Sequence, residues 1–344
     1  MNKFFASIFL FICLVILCIA DIQLCNSQSS DVYLTNASYK VINGASQVTL
    51  VSCTNITVTN AHGKILLIDT NYSKIFGNTI TGVAGESPLN WEACVMLLRS
   101  NHNDIYENDL SNSTRGVIVY TDDPNTGKHS GSRYNNIHGN KISDSAMGID
   151  CQTGGSNTTI YENIITNCNT GIELGYSNQN GVFRNTIKDC RYAVFLYGGS
   201  DYNAFYNNNF LSTNVFEDHQ SLPNLYNLYP ANNTWDAGYP KGGNYWSTYN
   251  GTDKDGDGIG DLPFSVYEKY VDRYPLVNTV TIPLFPDETN NIPETPDTTN
   301  NNGAGKTEPF PTTLVITASG ASLAVVGIGL LVYFKKRKRK AEVS

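Results

Sequence analysis

The chain is poor in the residues that metal and redox sites are usually built from. Its 344 residues include 5 His and 3 Met, and no two of its 8 cysteines form a C-x-x-C pair. That spacing gives no support to a zinc ribbon or a thioredoxin-like site. His62, His102, His129, His138 and His219 share no ligand spacing, and Met96 and Met147 are the only methionines of the body. His102, His129 and His138 are the set that could converge, so copper as a cofactor would rest on few soft donors. Basic surface is scarce as well. Without Lys3, the six cations of 335–340 and Glu342, 16 Lys+Arg face 30 Asp+Glu, a balance of −14. This argues against a nucleic-acid partner and suits cation binding. Finally, no body segment carries an apolar period of helical length, which points to an all-β fold.

What is present begins with two apolar runs, one at each end. Residues 1–20, MNKFFASIFLFICLVILCIA, read as a signal peptide with cleavage after Ala20, or alternatively as a retained anchor. Residues 313–334 read as one transmembrane helix. The 21 residues from Leu314 to Phe334 carry no charge and would span roughly 32 Å. The basic tail 335–344 follows and marks the cytoplasmic side. Localisation is therefore expected at the cell membrane, single-pass, with the large domain outside. Residues 285–312 are rich in Pro, Thr, Asn and Glu and read as a disordered linker. Seven N-x-[ST] sequons lie between the apolar runs, at Asn36, Asn55, Asn71, Asn112, Asn157, Asn232 and Asn250.

The body repeats itself. KIFGNTI (74–80), DIYENDL (104–110), NIHGNKI (136–142), TIYENII (159–165), GVFRNTI (181–187) and AFYNNNF (204–210) share one pattern: apolar, two residues, Asn, one residue, apolar. A second short strand follows each, as in GVIVY (116–120) and GIEL (171–174). Counted from Cys53, the spacings are 22, 30, 32, 23, 22 and 23, with insertions at 82–91 and 120–131. A period of this length means stacked units, and three short strands per unit form one coil of a right-handed parallel β-helix. About seven rungs over 51–211 would make a rod roughly 34 Å long. Residues 21–50 are expected to cap one end and 212–284 the other. The repeated Asn is expected at a bend, in left-handed geometry, bonding the backbone or its copy on the next rung.

Three constellations could carry chemistry. GTDKDGDGIGD (251–261) places Asp253, Asp255, Asp257 and Asp261 with the Ile259 carbonyl at alternate positions of a Gly-bent loop, a hard-oxygen set suited to calcium. Glu268 or Asp272 could complete it; a solvated acidic turn is the plainer alternative. Next, Phe76, Tyr106, His138, Tyr161, Phe183 and Tyr206 form an aromatic column one position after the apolar ladder. It is either a stacking surface for sugar rings or a purely structural stack. Third, Asp150 and Glu173 are equivalent positions on neighbouring rungs, about 5 Å apart. Such a pair fits a retaining glycosidase or a cation site, or simple acidic surface. Asp104, Glu107, Asp109, Asp122 and Asp123 cluster near the insertions. No Arg or Lys stands out as a lyase base. Cys168 and Cys190 occupy equivalent positions on successive rungs, as a disulfide or as buried thiols.

The laddered coils, then NNTWDAGYPKGGNYWSTYNGTDKDGDGIGDLPFSV and DRYPL, resemble the NosD-like proteins over roughly residues 45–276. The resemblance implies a right-handed parallel β-helix of the wider carbohydrate-binding and sugar-hydrolase group. The family name implies a periplasmic accessory role in copper maturation of nitrous oxide reductase. Three functions are expected in order: a non-catalytic module binding carbohydrate or a cell-envelope polymer, a polysaccharide hydrolase or lyase, and a copper-handling accessory protein.

Overall fold

The computed structural model describes residues 24–26, 30–82, 92–121, 131–212, 217–218, 232–267 and 270–282, all within one unit, 1–287. The segments read as signal peptide, linker and membrane span lie outside the described residues. Among the described residues no helix is long and apolar enough to cross a membrane.

The chain winds through three stacked parallel sheets, the architecture of a parallel β-helix and consistent with a right-handed coil. The first, here the ladder sheet, has nine three-residue strands. They run from Leu24–Asn26 through Val41–Asn43, Thr57–Thr59, Lys74–Phe76 and Asp104–Tyr106 to Ala204–Tyr206, in sequence order. A seven-stranded sheet follows each bend, from Thr79–Thr81 to Tyr245–Trp246. The third, the long-strand sheet, has nine strands, among them Ile65–Ile68, Ala93–Leu98, Arg115–Tyr120, Met147–Gln152, Thr170–Gly175 and Tyr192–Tyr197. Pairing is in register, so Ile75, Ile105, Ile137, Ile160, Val182 and Phe205 stack as one column. Each is fully buried. One methyl-rich side chain over another on every rung supplies the hydrophobic stabilisation that a thin rod otherwise lacks.

The rod is longer than seven rungs. Within residues 21–50, expected to be cap, the described residues carry strands of the same two sheets. The partner of Ile75 is Val58, not Cys53, so counting from Cys53 gave a false first interval. These early coils skip the seven-stranded sheet: their ladder strands begin at Val41, Thr57 and Lys74, intervals of 16 and 17. Their bends read Gly44-Ala45 and Asn60-Ala61, where later coils read Gly77-Asn78. With Ala at the ladder position, a search for the repeated Asn passes over them.

The Asn ladder itself runs Asn78, Asn108, Asn140, Asn163, Asn185, Asn208 and then Asn244, each at most 1% exposed. Each Asn donates from both its backbone N and its Nδ2 to the Oδ1 of the next, as in Asn140 to Asn163 at 3.0 and 2.9 Å. Nδ2 also donates to a backbone carbonyl of the preceding rung, as Asn163 does to Ile137 at 2.8 Å. Every amide group is thereby satisfied in a dry interior. The ladder residues are not left-handed. That conformation falls one position earlier, at Gly77, Glu107, Gly139, Glu162, Arg184 and Asn207. A second, interrupted ladder, which the repeat pattern does not show, stands before four of the ladder strands: Asn103 donates to Asn135 and Asn180 to Asn203.

The closing segment explains the NYWS and DRYPL motifs. Trp235 stacks on Phe205 and Trp246 on Phe210, both at 4.4 Å, with Phe264 beyond Trp246 at 4.9 Å. The aliphatic columns thus end in large flat rings. Asn244 carries the last ladder amide and donates through its backbone N to Asp272 Oδ2 at 2.7 Å, as does Trp246 Nε1 at 2.8 Å. Gly243 is required there, because a Cβ would lie 1.8 Å from Asp272 Oδ1. Arg273 pairs with Asp236 through Nε at 2.9 Å and Nη2 at 2.7 Å, fastening the last strand to the loop after Trp235.

Candidate functional site

The long-strand sheet has two faces. Val117, Ile149, Ile172 and Val194 point into the core, as do Val119, Cys151, Leu174 and Leu196. Strand alternation turns the residues between them outward. Outward, in register, stand Met96, Ile118, Asp150, Glu173 and Phe195. Although outward, Asp150 is 0% and Glu173 6% exposed, and Met96 and Ile118 are buried too. The chain enters this sheet from 83–91 and leaves it into 122–130; both insertions lie outside the described residues, as do Asp122, Asp123, His129 and His219.

Arg115 Nε donates to Asp150 Oδ2 at 2.6 Å, and Gln152 Nε2 donates to the same oxygen at 2.8 Å. Gln152 Nε2 also reaches Glu173 Oε1 at 3.3 Å. Asp150 Oδ1, equally buried, has no hydrogen-bond partner among the described residues. From the other side, the Tyr197 hydroxyl bonds Glu173. It can do so because residue 175 is glycine: a Cβ there would lie 2.2 Å from Tyr197 Cζ, so only glycine lets the ring lie on the strand. Burial, reinforced by the charge of Asp150, pushes Glu173 up to about 7. Burial also raises Asp150, opposed by Arg115 and Gln152. Both donors converge on Asp150 Oδ2 and favour its charged form, while burial favours the neutral form of each acid. The sequence pointed to the two acids but not to Arg115, Gln152 or Tyr197. The in-register neighbour rule that paired Asp150 with Glu173 misses both Arg115 and Tyr197: they stand opposite Met147 and Gly175, and each reaches its acid diagonally across the rung.

The other candidates fall out differently. Phe76, Tyr106, His138, Tyr161, Phe183 and Tyr206 do stack, with ring centroids 4.5–5.2 Å apart and planes within 12°. Their faces cover one another and only edges look outward, the geometry of the structural alternative. A second, exposed stack, Tyr72–His102–Tyr134, runs beside it at 4.9 and 5.1 Å. Of the remaining acids, Asp104 pairs with His138 at 3.0 Å and Asp109 with Lys141 at 3.3 Å, while Glu107 occupies a left-handed bend.

In the acidic loop, one carboxylate oxygen each of Asp253, Asp255 and Asp257 lies within 4.8 Å of the others. Gly256 N and Gly258 N donate to the two oxygens of Asp253 at 2.8 and 2.9 Å; the Gly258 bond leads in holding Asp253 below its ordinary range. Val277 N donates to the Gly258 carbonyl at 3.1 Å, a neighbour of the Ile259 carbonyl expected as a ligand. Asp261 Oδ2 accepts from Thr252 Oγ1 at 2.8 Å. Asp272, a suggested further ligand, is committed to Asn244 and Trp246 instead; Glu268 lies outside the described residues.

For copper, the described residues gather no three-ligand group containing His or Cys. His102 and His138 are each sandwiched between tyrosine rings in separate columns. Among the described residues, the thiols of Cys168 and Cys190 stand side by side on successive rungs, a pair that fits a two-coordinate ion.

No curated protein matches the chain. Among solved structures, the crystal structure of alginate lyase from Paenibacillus sp. str. FPU-7 is similar over 57% of this chain and 93% of that one, at 14% identity and a TM-score of 0.37. Residues 22–251 match the family described as periplasmic copper-binding protein (NosD), and the chain belongs to that family.

Proposed function

We propose that the outer face of the long-strand sheet binds a glycan or cell-envelope polymer, with Arg115, Asp150, Gln152, Glu173 and Tyr197 as its polar anchor. The supporting observation is a fully buried carboxylate on an outward face with one oxygen unpartnered. Such a group costs free energy unless a ligand or water completes it. Tyr120, Tyr192 and Phe195 share that face and supply apolar area for sugar rings. A second reading, hydrolysis, is favoured by the split carboxyls: Glu173, raised to about 7, as general acid and Asp150 as nucleophile through Oδ1. One experiment separates them. The chain is incubated with a panel of envelope polysaccharides, and both retention and new reducing ends are measured. Retention without cleavage, lost in Asp150→Ala, is the binding module. Cleavage that falls as pH rises through about 7 and disappears in Glu173→Gln is the hydrolase. Neither result rejects this face as the site.

Calcium at Asp253, Asp255, Asp257, the Ile259 carbonyl and Asp261 belongs to the same proposal, as a structural ion bracing the closing segment. Chelation should lower the melting temperature of the wild type by several degrees and leave Asp253→Asn unchanged. So does the anchor: with 313–334 in the membrane and the linker 285–312 as a stalk, the binding face is presented outside the cell.

A further inference from the structure

The thiols of Cys168 and Cys190 sit in a column otherwise made of serine. Ser113, Ser145, Cys168 and Cys190 are equivalent on four successive coils: the residue after each donates to the carbonyl one rung back, Ala146 to Ser113, Asn169 to Ser145 and Arg191 to Cys168, at 3.1–3.2 Å. Ser113 Oγ and Ser145 Oγ approach to 3.2 Å. Ser145, Cys168 and Cys190 also donate back to the carbonyl two residues before them, those of Ser143, Thr166 and Lys188, whereas Ser113 Oγ donates to the Arg115 carbonyl at 2.7 Å. Serine therefore satisfies the position fully, and two adjacent thiols add something the fold does not require.

We propose that Cys168 and Cys190 form a two-coordinate site for Cu(I), with one thiolate from each of two successive coils. Rungs repeat at about 4.8 Å, and a linear sulfur–metal–sulfur bridge needs roughly twice a metal–thiolate bond of about 2.3 Å. In-register strands on both sides hold the two positions at that separation, Thr166 on Lys188 before them and Thr170 on Tyr192 after them. Soft thiolates select Cu(I) over hard ions. Both cysteines are free, and at 4% and 3% exposure they lie nearer the surface than Cys94 and Cys151, which are at 0%. The two thiols hydrogen-bond one another across the rung. Binding replaces two S–H bonds by two S–Cu bonds, releases two protons, and leaves the oxidation state of Cu(I) unchanged.

The test uses the purified full chain, reduced and kept anaerobic, titrated with Cu(I) against a chromogenic Cu(I) chelator. One equivalent is expected to be bound tightly, with a two-sulfur shell in X-ray absorption. Cys168→Ser and Cys190→Ser should each lose it, while Cys53→Ser keeps it; serine is already native to this column at Ser113 and Ser145. Without any variant, Cu(I) should protect Cys168 and Cys190 together from alkylation. No tight equivalent in the reduced wild type, an equivalent that survives both serine variants, or an alkylation pattern indifferent to Cu(I) would each overturn the site.

Discussion

The middle coils and the closing segment solve the same problem with opposite chemistry. From Asn78 to Asn208 each rung repeats a neutral amide that donates forward and accepts from behind. Such a ladder has a direction, so its two ends need different groups. At the start, Ala61 needs only a backbone N–H, which donates to Asn78 Oδ1 at 2.8 Å. At the finish, Asn244 has donors to place and nothing further to receive, and a carboxylate is the side chain that only accepts. Asp272 fills that role, fully buried. Repetition is sustained by amides; termination demands a charge in the interior, and burial pushes that carboxyl up to about 6.

Moving the terminator into the repeat should break this contrast most severely. Asn163→Asp removes the donor to Ile137 O and buries a charge with no cation beside it. Asn163→Ala leaves Asn140 N and Nδ2 without an acceptor. Either should cost about 3 kcal/mol or more at neutral pH, read from urea unfolding. Only the Asp variant should recover as pH falls, because protonation removes its charge. Asn112, exposed in a left-handed bend, is the control. Asn112→Ala should cost about 1 kcal/mol, the price of that conformation.

Asp272 sharpens the comparison from the other side. An acid whose folded value is raised binds its proton more tightly when folded. Its contribution therefore favours the folded state at low pH and is lost as pH rises from about 4 through about 6, worth about 3 kcal/mol. In Asp272→Asn that dependence should vanish from unfolding midpoints measured across this window. Some stability should go with it, because one amide cannot accept from Asn244, Trp246 and Tyr274 together. The residual slope nearer pH 7 belongs to Glu173 and should disappear in Glu173→Gln.

The repeat was legible because its cause is local. Ile160 and Asn163 recur three apart wherever a column and a bend must be rebuilt. The pairing of Asp150 with Glu173 followed from the same period. The first coils were hidden because Ala45 and Ala61 serve the ladder with backbone alone. Arg115 was hidden because its partner lies diagonally, 35 residues on. Asp272 looked like a calcium ligand because nothing local announces that a ladder starting near residue 61 ends there. What depends on neighbours one period away can be read from a sequence; what depends on where the stack stops cannot.

The smallest effect separates the two aromatic stacks. Tyr161 and its neighbours lie on a strand with ordinary backbone, so Tyr161→Ala loses ring contact alone, about 1 kcal/mol. Tyr134 stacks equally well but sits at φ 59 and is 53% exposed. Its stacking with His102 offsets a left-handed backbone that a side chain bears at a cost of about 1–2 kcal/mol. Replacing it with alanine keeps that cost and loses the ring, whereas glycine loses the ring and the cost together. Tyr134→Gly should therefore unfold later than Tyr134→Ala by about 1 kcal/mol, the reverse of the order expected at Tyr161, where glycine only adds chain entropy to the unfolded state. Equal ordering at both positions would show that the exposed stack, and not the bend beneath it, sets the conformation of that corner.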